Sequence, residues 1–242
     1  MGTVIMSGIV PLLKAPVIPA STLAVGSTVK LMENGSPAEY LVVNQGIPSG
    51  SSLYDASCDG TWLLRKDCCE NQQWHSSDKN DYAKSTVNSY LNDTFFNRLG
   101  ANEKAAIRQV KIPYRPGSGY GKNVNTGTNG LIAKVFLLSA TECSFDNNFM
   151  PTAEGAELMY FKGCADDSPD SKRVANLDGS AVDWWLRSPF CSSSSAAANA
   201  FSVARDGNRV GNRCTYSSAL RPALILPSTA VFDKATLILK GA

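Results

Sequence analysis

The sequence predicts an α+β fold of short antiparallel strands with two helices and long loops. Three observations lead there. Gly, Pro, Asn and Ser punctuate the chain so densely that most apolar runs are short. Only two segments carry helical spacing, whereas strand-like runs recur from residue 29 to residue 239. No repeat of about 20–50 residues is visible, which disfavours a solenoid or a propeller. The 242 residues and 25.8 kDa suffice for a full core. They divide into an extended N-terminal arm, residues 1–24, and a single domain, residues 25–242.

The arm begins MGTVIMSGIVPLLKAPVIPA. Its apolar stretch is short and broken by Pro11, Pro16 and Pro19, and no basic residue precedes it, so it reads as an arm and not as a signal peptide. Two strand-like runs between Val29 and Val43 flank Asn34-Gly35, the dipeptide that most favours a tight hairpin. A third strand is expected at Thr61 to Arg65. The clearest helix follows: Ser85 or Thr86 can cap it, Val87, Tyr90, Leu91, Phe95 and Leu99 recur at helical spacing, and Gly100 stands at the expected stop. A second, short helix is expected from Glu103 to Arg108, with Asn102 as cap and Ile107 inward. Val110 and Ile112 belong to an extended run ended by Pro113.

Residues 115–130 (RPGSGYGKNVNTGTNG) form a loop by composition. Gly121-Lys122 lacks both the upstream glycine and the following Ser or Thr of a phosphate-binding loop. Val135 to Leu138 reads as a central strand and Thr141-Glu142 as the start of a short helix, while 155–161 fits helix or strand. In the last third, Val182 to Arg187 is a strand ended by Ser188-Pro189. Ala200 to Ala204 alternates, Asp206-Gly207 turns, and Arg209 onward returns. Leu220 to Leu226 and Thr236 to Leu239 complete the set.

Composition removes several function classes. A net charge of +2 argues against an obligate nucleic-acid binder, and no apolar run approaches the roughly 18 residues of a membrane span. Seven cysteines are an odd number with no CxxC pair, so a complete intrachain disulfide framework is impossible and reduced, mostly buried thiols are expected. Cys68, Cys69 and His75 do not supply a zinc ligand set, and no metal is expected. There is no GxSxG, HExxH or GxGxxG motif and no EF-hand loop. His75 lies in polar sequence, as do the acid pairs Asp166-Asp167 and Glu154 with Glu157, which read as solvated surface. No catalytic residue and no cofactor is assigned.

Residues 190–220 are different. This window of 31 residues holds seven serines and six alanines but no Lys, Glu, Gln, Met or Trp, although those five types supply 33 of the 242 residues. They are also the five amino acids that codons ending in a pyrimidine cannot encode. Asn codons randomised at their adenines would yield the other fifteen. Strand signals bracket the window, and Phe201, Val203 and Asp206-Gly207 suggest order within it. Such a segment has the physics of a paratope, with small adaptable polar side chains and a few Tyr and Arg anchors on a rigid base. Arg187 and Arg221, embedded in apolar strands at its borders, read as internal hydrogen-bond donors. Trp184 and Trp185 point to opposite faces.

The strand Asp183-Trp184-Trp185-Leu186-Arg187-Ser188-Pro189, the turn Asp206-Gly207-Asn208 and the run from Leu220 to Ser228 (LRPALILPS) resemble the C-terminal region of a C-type-lectin-fold family. That family includes variable proteins of diversity-generating retroelements, many of them encoded by phages and prophages. VKLMENG at 29–35, SCDGTWLLRKD at 57–67 and VKIPY at 110–114 are similar to phage-encoded members, so the resemblance runs from about residue 25 onward. It implies a C-type-lectin-like domain, a fold also shared by formylglycine-generating-enzyme-type proteins, with a rewritten ligand-binding surface at 190–220. The implied variable positions are Phe190, Ser192, Ser194, Asn199, Ser202, Ala204, Arg205, Arg209, Asn212, Arg213, Thr215 and Tyr216. Phe201 and Val203 should point inward, and Gly207 should be a turn glycine.

No EPN or QPD triplet accompanies the window, which speaks against a calcium–sugar site. Cys191 and Cys214 match no formylglycine-generating motif. The resemblance thus implies a non-enzymatic protein that binds a protein or cell-surface ligand. Its setting would be a phage virion (the tail), or the cytoplasm before assembly, as a homo-oligomer or within a tail. An invariant structural tail or surface component of the same fold is the alternative.

Overall fold

The computed structural model describes residues 15–117, 123–145, 152–164, 168–191 and 197–242. Its strands are β1 (Val17–Pro19), β2 (Thr28–Glu33), β3 (Ser36–Gln45), β4 (Thr61–Arg65), β5 (Asn71–Gln73), β6 (Val110–Ile112), β7 (Leu131–Ala133), β8 (Val135–Phe136), β9 (Asn176–Leu177) and β10 (Ser180–Ala181). They continue as β11 (Trp184–Pro189), β12 (Asn199–Val203), β13 (Arg209–Arg213), β14 (Ser217–Ala219), β15 (Ala223–Leu226), β16 (Val231–Asp233) and β17 (Leu239–Gly241). Helices α1 (Thr86–Tyr90), α2 (Phe96–Arg98) and α3 (Ala101–Ala106) lie between β5 and β6. This is a mixed, sheet-rich α+β architecture, as expected.

Two five-stranded sheets organise it, in the orders β2-β3-β4-β15-β8 and β13-β12-β11-β14-β5. Within them only the β11–β14 pairing is parallel. The β2–β3 hairpin turns on Asn34 (φ 48°) and Gly35 (φ 80°), the two consecutive left-handed residues that a tight hairpin needs. The central strands are apolar on both faces, and alternate side chains enter different buried clusters. Trp62 and Leu64 enter one cluster and Leu63 the other; Trp184 and Leu186 enter the first and Trp185 the second. Each of the four indole N–H groups donates to a backbone carbonyl, those of Trp62, Trp74, Trp184 and Trp185 to Cys58, Leu186, Arg173 and Gln72. Burial therefore leaves no indole donor unsatisfied.

The first helix behaves as its spacing predicts. Ser85 caps it by accepting from the Asn88 N–H, and Val87, Leu91 and Phe95 are fully buried. A π-type turn, Leu91–Phe95, joins α1 to α2. Gly100 does not simply end it: Gly100 is the N-cap of α3, which spans Ala101–Ala106 rather than Glu103 to Arg108. The Glu103 carboxylate folds back so closely that a Cβ on Gly100 would lie 2.3 Å from Glu103 Oε2. That carboxylate also accepts from the Met32 N–H, so Asn102 has no capping role here.

Other expectations need correction. The strand at 135–136 lies at the edge of its sheet, not the centre, and Leu137 and Leu138 are buried outside it. Thr141-Glu142 opens a turn rather than a helix, and the ambiguous 155–161 stretch contains a 3-10 turn, Met159–Phe161. The last strand begins at Leu239, because Thr236 is held in a turn by the Asp233 carboxylate. Glu154 is not solvated: it is fully buried, and so is Glu142. Asp166 and Asp167 lie outside the described residues.

Those two glutamates meet Arg187. Its guanidinium donates to Glu142 Oε2 at 2.5 Å and Oε1 at 2.7 Å, and to the carbonyls of Pro113 and Leu137. Glu154 Oε1 lies 3.7 Å away and also accepts from the Arg115 N–H. Burial pushes the Glu154 carboxyl above its ordinary range, opposed by Arg187 and by the Ser188 hydroxyl. Burial works against the charge of Arg187 too, but the two carboxylates outweigh it and raise its pKa. Arg221 likewise donates to the carbonyls of Arg65, Arg173 and Lys66, so both border arginines are internal donors. Arg187→Leu, which strands two buried carboxylates, should cost about 3–5 kcal/mol in urea denaturation. A loss below about 1 kcal/mol, the range of an exposed pair, would show that this network does not hold the fold.

Candidate binding face

The window from residue 190 to 220 runs through the edge of the second sheet. β12 lies between β11 and β13, in register Asn199↔Arg213, Phe201↔Gly211 and Val203↔Arg209, and β13 forms the sheet edge. Phe201 and Val203 are buried in the first core cluster, as the alternation predicts. Gly207 turns the chain at φ 87°, and a Cβ there would lie 2.0 Å from the Asp170 carbonyl oxygen. Both the conformation and the close approach require glycine.

The twelve positions inferred to vary separate into groups. Arg205, Arg213 and Tyr216 are exposed, with Tyr216 at 57%. Asn199, Ala204, Asn212 and Thr215 are half-buried. Ser202 is not on the surface: it is fully buried, and its hydroxyl accepts from Asn212 Nδ2 at 2.7 Å. Arg209 is only 9% exposed, its guanidinium 4.8 Å from the Phe201 ring centre and 5.7 Å from that of Phe145. Phe190 is half-buried, 5.1 Å from Phe201 and close over Gly211. Sequence alternation sorts side chains between two faces of a sheet but does not reveal that both faces are covered here. Ser192 and Ser194 lie outside the described residues.

The residues that hold this face come from the polar segment just before α1, which carries no motif. Asn80 is fully buried; its Nδ2 donates to the carbonyls of Phe190 and Asn199, and its N–H to that of Ala197. His75 N–H donates to Cys214 O, and Gln73 Nε2 to Thr215 O. β5 pairs with β14 from Asn71 to Gln73, and the Trp185 indole donates to Gln72 O. Asp78 adds side-chain bonds, an ion pair with Arg213 and an acceptor for Thr215 Oγ1 at 2.9 Å. Arg213 first and Thr215 second hold the Asp78 carboxyl below its ordinary range.

All seven cysteines are free thiols, six of them buried and Cys69 half-buried. Burial pushes Cys191 and Cys214 up to about 12, so both are protonated at neutral pH and are poor nucleophiles. Among the described residues no group of three His, Cys, Asp or Glu side chains could hold a metal ion. No helix among them is long and apolar enough to cross a membrane. What the arrangement offers is a displayed edge: Arg, Tyr, Thr and Asn side chains on a backbone fixed from behind.

Asn80→Asp removes the donors to the Phe190 and Asn199 carbonyls and points a carboxylate at those two oxygens. It should cost at least about 2 kcal/mol and speed amide exchange first at residues 197–199. Arg213→Ala should leave the unfolding midpoint near the parent's. Equal effects of the two changes would contradict the assignment of Asn80.

A family model described as a domain of unknown function, DUF6273, matches residues 59–228, from just before β4 to just after β15. No curated protein and no solved structure matches the chain. The family match takes in the helices, the Arg187 network and the whole window, well over half of the sequence. The chain belongs to the DUF6273 family.

Proposed function

We propose that this protein is a non-enzymatic binding protein that presents a diversified surface, within residues 190–220, on a C-type-lectin-like scaffold, and that it is encoded by a phage or prophage. Its ligand would be a protein or another cell-surface molecule. The observation that carries the reading is how the window is held. The donors of Gln73, His75 and Asn80 end on main-chain carbonyls of Phe190, Ala197, Asn199, Cys214 and Thr215. Every residue type has that carbonyl, so side chains there can change without breaking the bonds.

The compositional break of the window, restricted to residue types that pyrimidine-ending codons supply, supports the same reading. So does the similarity of the WWLRSP and LRPALILPS segments to retroelement-diversified proteins. The alternative, an invariant tail or surface component, draws support from Ser202 and Arg209, whose burial removes them from any variable set.

Sequencing the gene from several isolates tests the proposal. Differences should concentrate at the codons of Asn199, Arg205, Asn212, Arg213, Thr215 and Tyr216, at positions where the template copy carries adenine, while Ser202, Gly207 and Arg209 stay constant. A near-copy of the region and a reverse-transcriptase gene should lie nearby. Differences spread evenly along the chain would defeat diversification, and an unchanging window would favour the structural component.

A further inference from the structure

Among the described residues, the outer side of β13 is an open sheet edge inside the window. We propose that it takes an extended segment of a protein ligand as a further antiparallel strand, with an apolar residue opposite Gly211 and carboxylates two residues before and after it. The inference rests on the binding reading above and gives that ligand a conformation and a chemistry.

The phase of the ladder fixes which groups are on offer. Just beyond its two ends, Cys214 N–H donates to Ala198 O and Ala204 N–H to Asn208 O. Bonded positions alternate along an antiparallel pair, so Ala200↔Asn212 and Ser202↔Val210 exchange the bonds between β12 and β13. The N–H and C=O groups of Arg209, Gly211 and Arg213 therefore point away from β12, where no described strand meets them. The phase agrees on the far side of β12, where Asn199 O faces β11 and accepts from Phe190 N–H. Asn208 Oδ1 accepts from Arg209 N–H, and Arg213 O accepts from Tyr216 N–H. Both groups of Gly211 and the N–H of Arg213 remain directed outward, on residues that are exposed.

Side chains define the ligand. A Cβ on Gly211 would lie 3.1 Å from Phe190 Cδ2, so the half-buried Phe190 ring borders a position that carries no side chain. The partner residue that exchanges both bonds with Gly211 places its own side chain on that face, where an apolar group covers the ring. Partner residues two positions away stand opposite Arg209 and Arg213. Arg213 pairs with Asp78, yet its side chain is 53% exposed. Directly opposite an arginine a carboxylate is favoured and a cation is not. The same rule selects against a second copy of this chain, because a β13–β13 pair centred on Gly211 would set Arg209 against Arg213 twice. Main-chain bonds would supply the docking and alternate side chains the choice of partner, which fits a diversified window.

The probe is the end-capped peptide TETFTET, and the readout is amide exchange of the ¹⁵N-labelled protein followed by NMR. The amides of Val210 and Asn212 are already bonded to β12 and should change little. Those of Gly211 and Arg213 should slow at least about fivefold at saturation, an alternation that contact through side chains alone does not produce. N-methylation of the peptide's phenylalanine removes its donor to Gly211 O and should weaken binding at least about tenfold. The peptide TKTFTKT should bind at least about threefold more weakly than TETFTET, and Arg213→Ala should narrow that difference. No saturable binding, protection without the alternation, or equal binding of the N-methyl or the lysine peptide overturns the proposal. Protection of Gly211 and Arg213 that grows with protein concentration in the absence of peptide assigns the edge to a second copy and overturns it too. Such a failure leaves the isolate comparison standing, and an even spread of isolate differences would leave strand addition standing.

Discussion

The buried meeting of Arg187 with Glu142 and Glu154 is the constraint on which the rest of the molecule depends. It sits on β11, whose six residues are all buried and whose two tryptophans enter different core clusters. The guanidinium ties that strand to the carbonyls at Pro113 and Leu137 and to both carboxylates. Charge this deep is tolerated only when paired and fully hydrogen-bonded. The loops that bring in Pro113, Leu137, Glu142 and Glu154 are therefore fixed by the strand that leads into the window, and the strand by them.

From that strand outward, two kinds of bond divide the work. Bonds from Gln73, His75 and Asn80 reach main-chain oxygens of the window and do not depend on which side chains it carries. Bonds from Asp78 reach the side chains of Arg213 and Thr215 and do depend on them. Gly207 belongs with the first kind, because the Asp170 backbone leaves no room for a Cβ. A surface of this design can alter its chemistry at Arg205, Arg213 and Tyr216 while its backbone follows the same course.

Local features were legible in the sequence. The Asn34-Gly35 hairpin, the Thr61–Arg65 strand, the Ser85 cap and the Gly207 turn each follow from a backbone preference acting over a few residues. What was hidden depends on contacts across the chain. Glu154 looks like any surface acid until Arg187, 33 residues later, is brought against it. Asn80 stands in polar sequence with no pattern, and its role exists only because β11 and β12 pass in front of it. Ser202 and Arg209 alternate correctly, yet both sheet faces are covered at that point, which periodicity alone does not reveal. Val135 reads as a central strand because it is apolar; its edge position is a matter of topology.

The central claim is that the window's path is set by the scaffold and not by its own exposed side chains. The most direct measurement is a crystal structure of a variant in which Arg205, Asn212, Arg213, Thr215 and Tyr216 are all replaced by other residue types. The account predicts an unchanged backbone from 197 to 219, with Asn80 still bonded to the carbonyls at positions 190, 197 and 199. A rearranged or unpaired β12–β13 edge in that variant would contradict it.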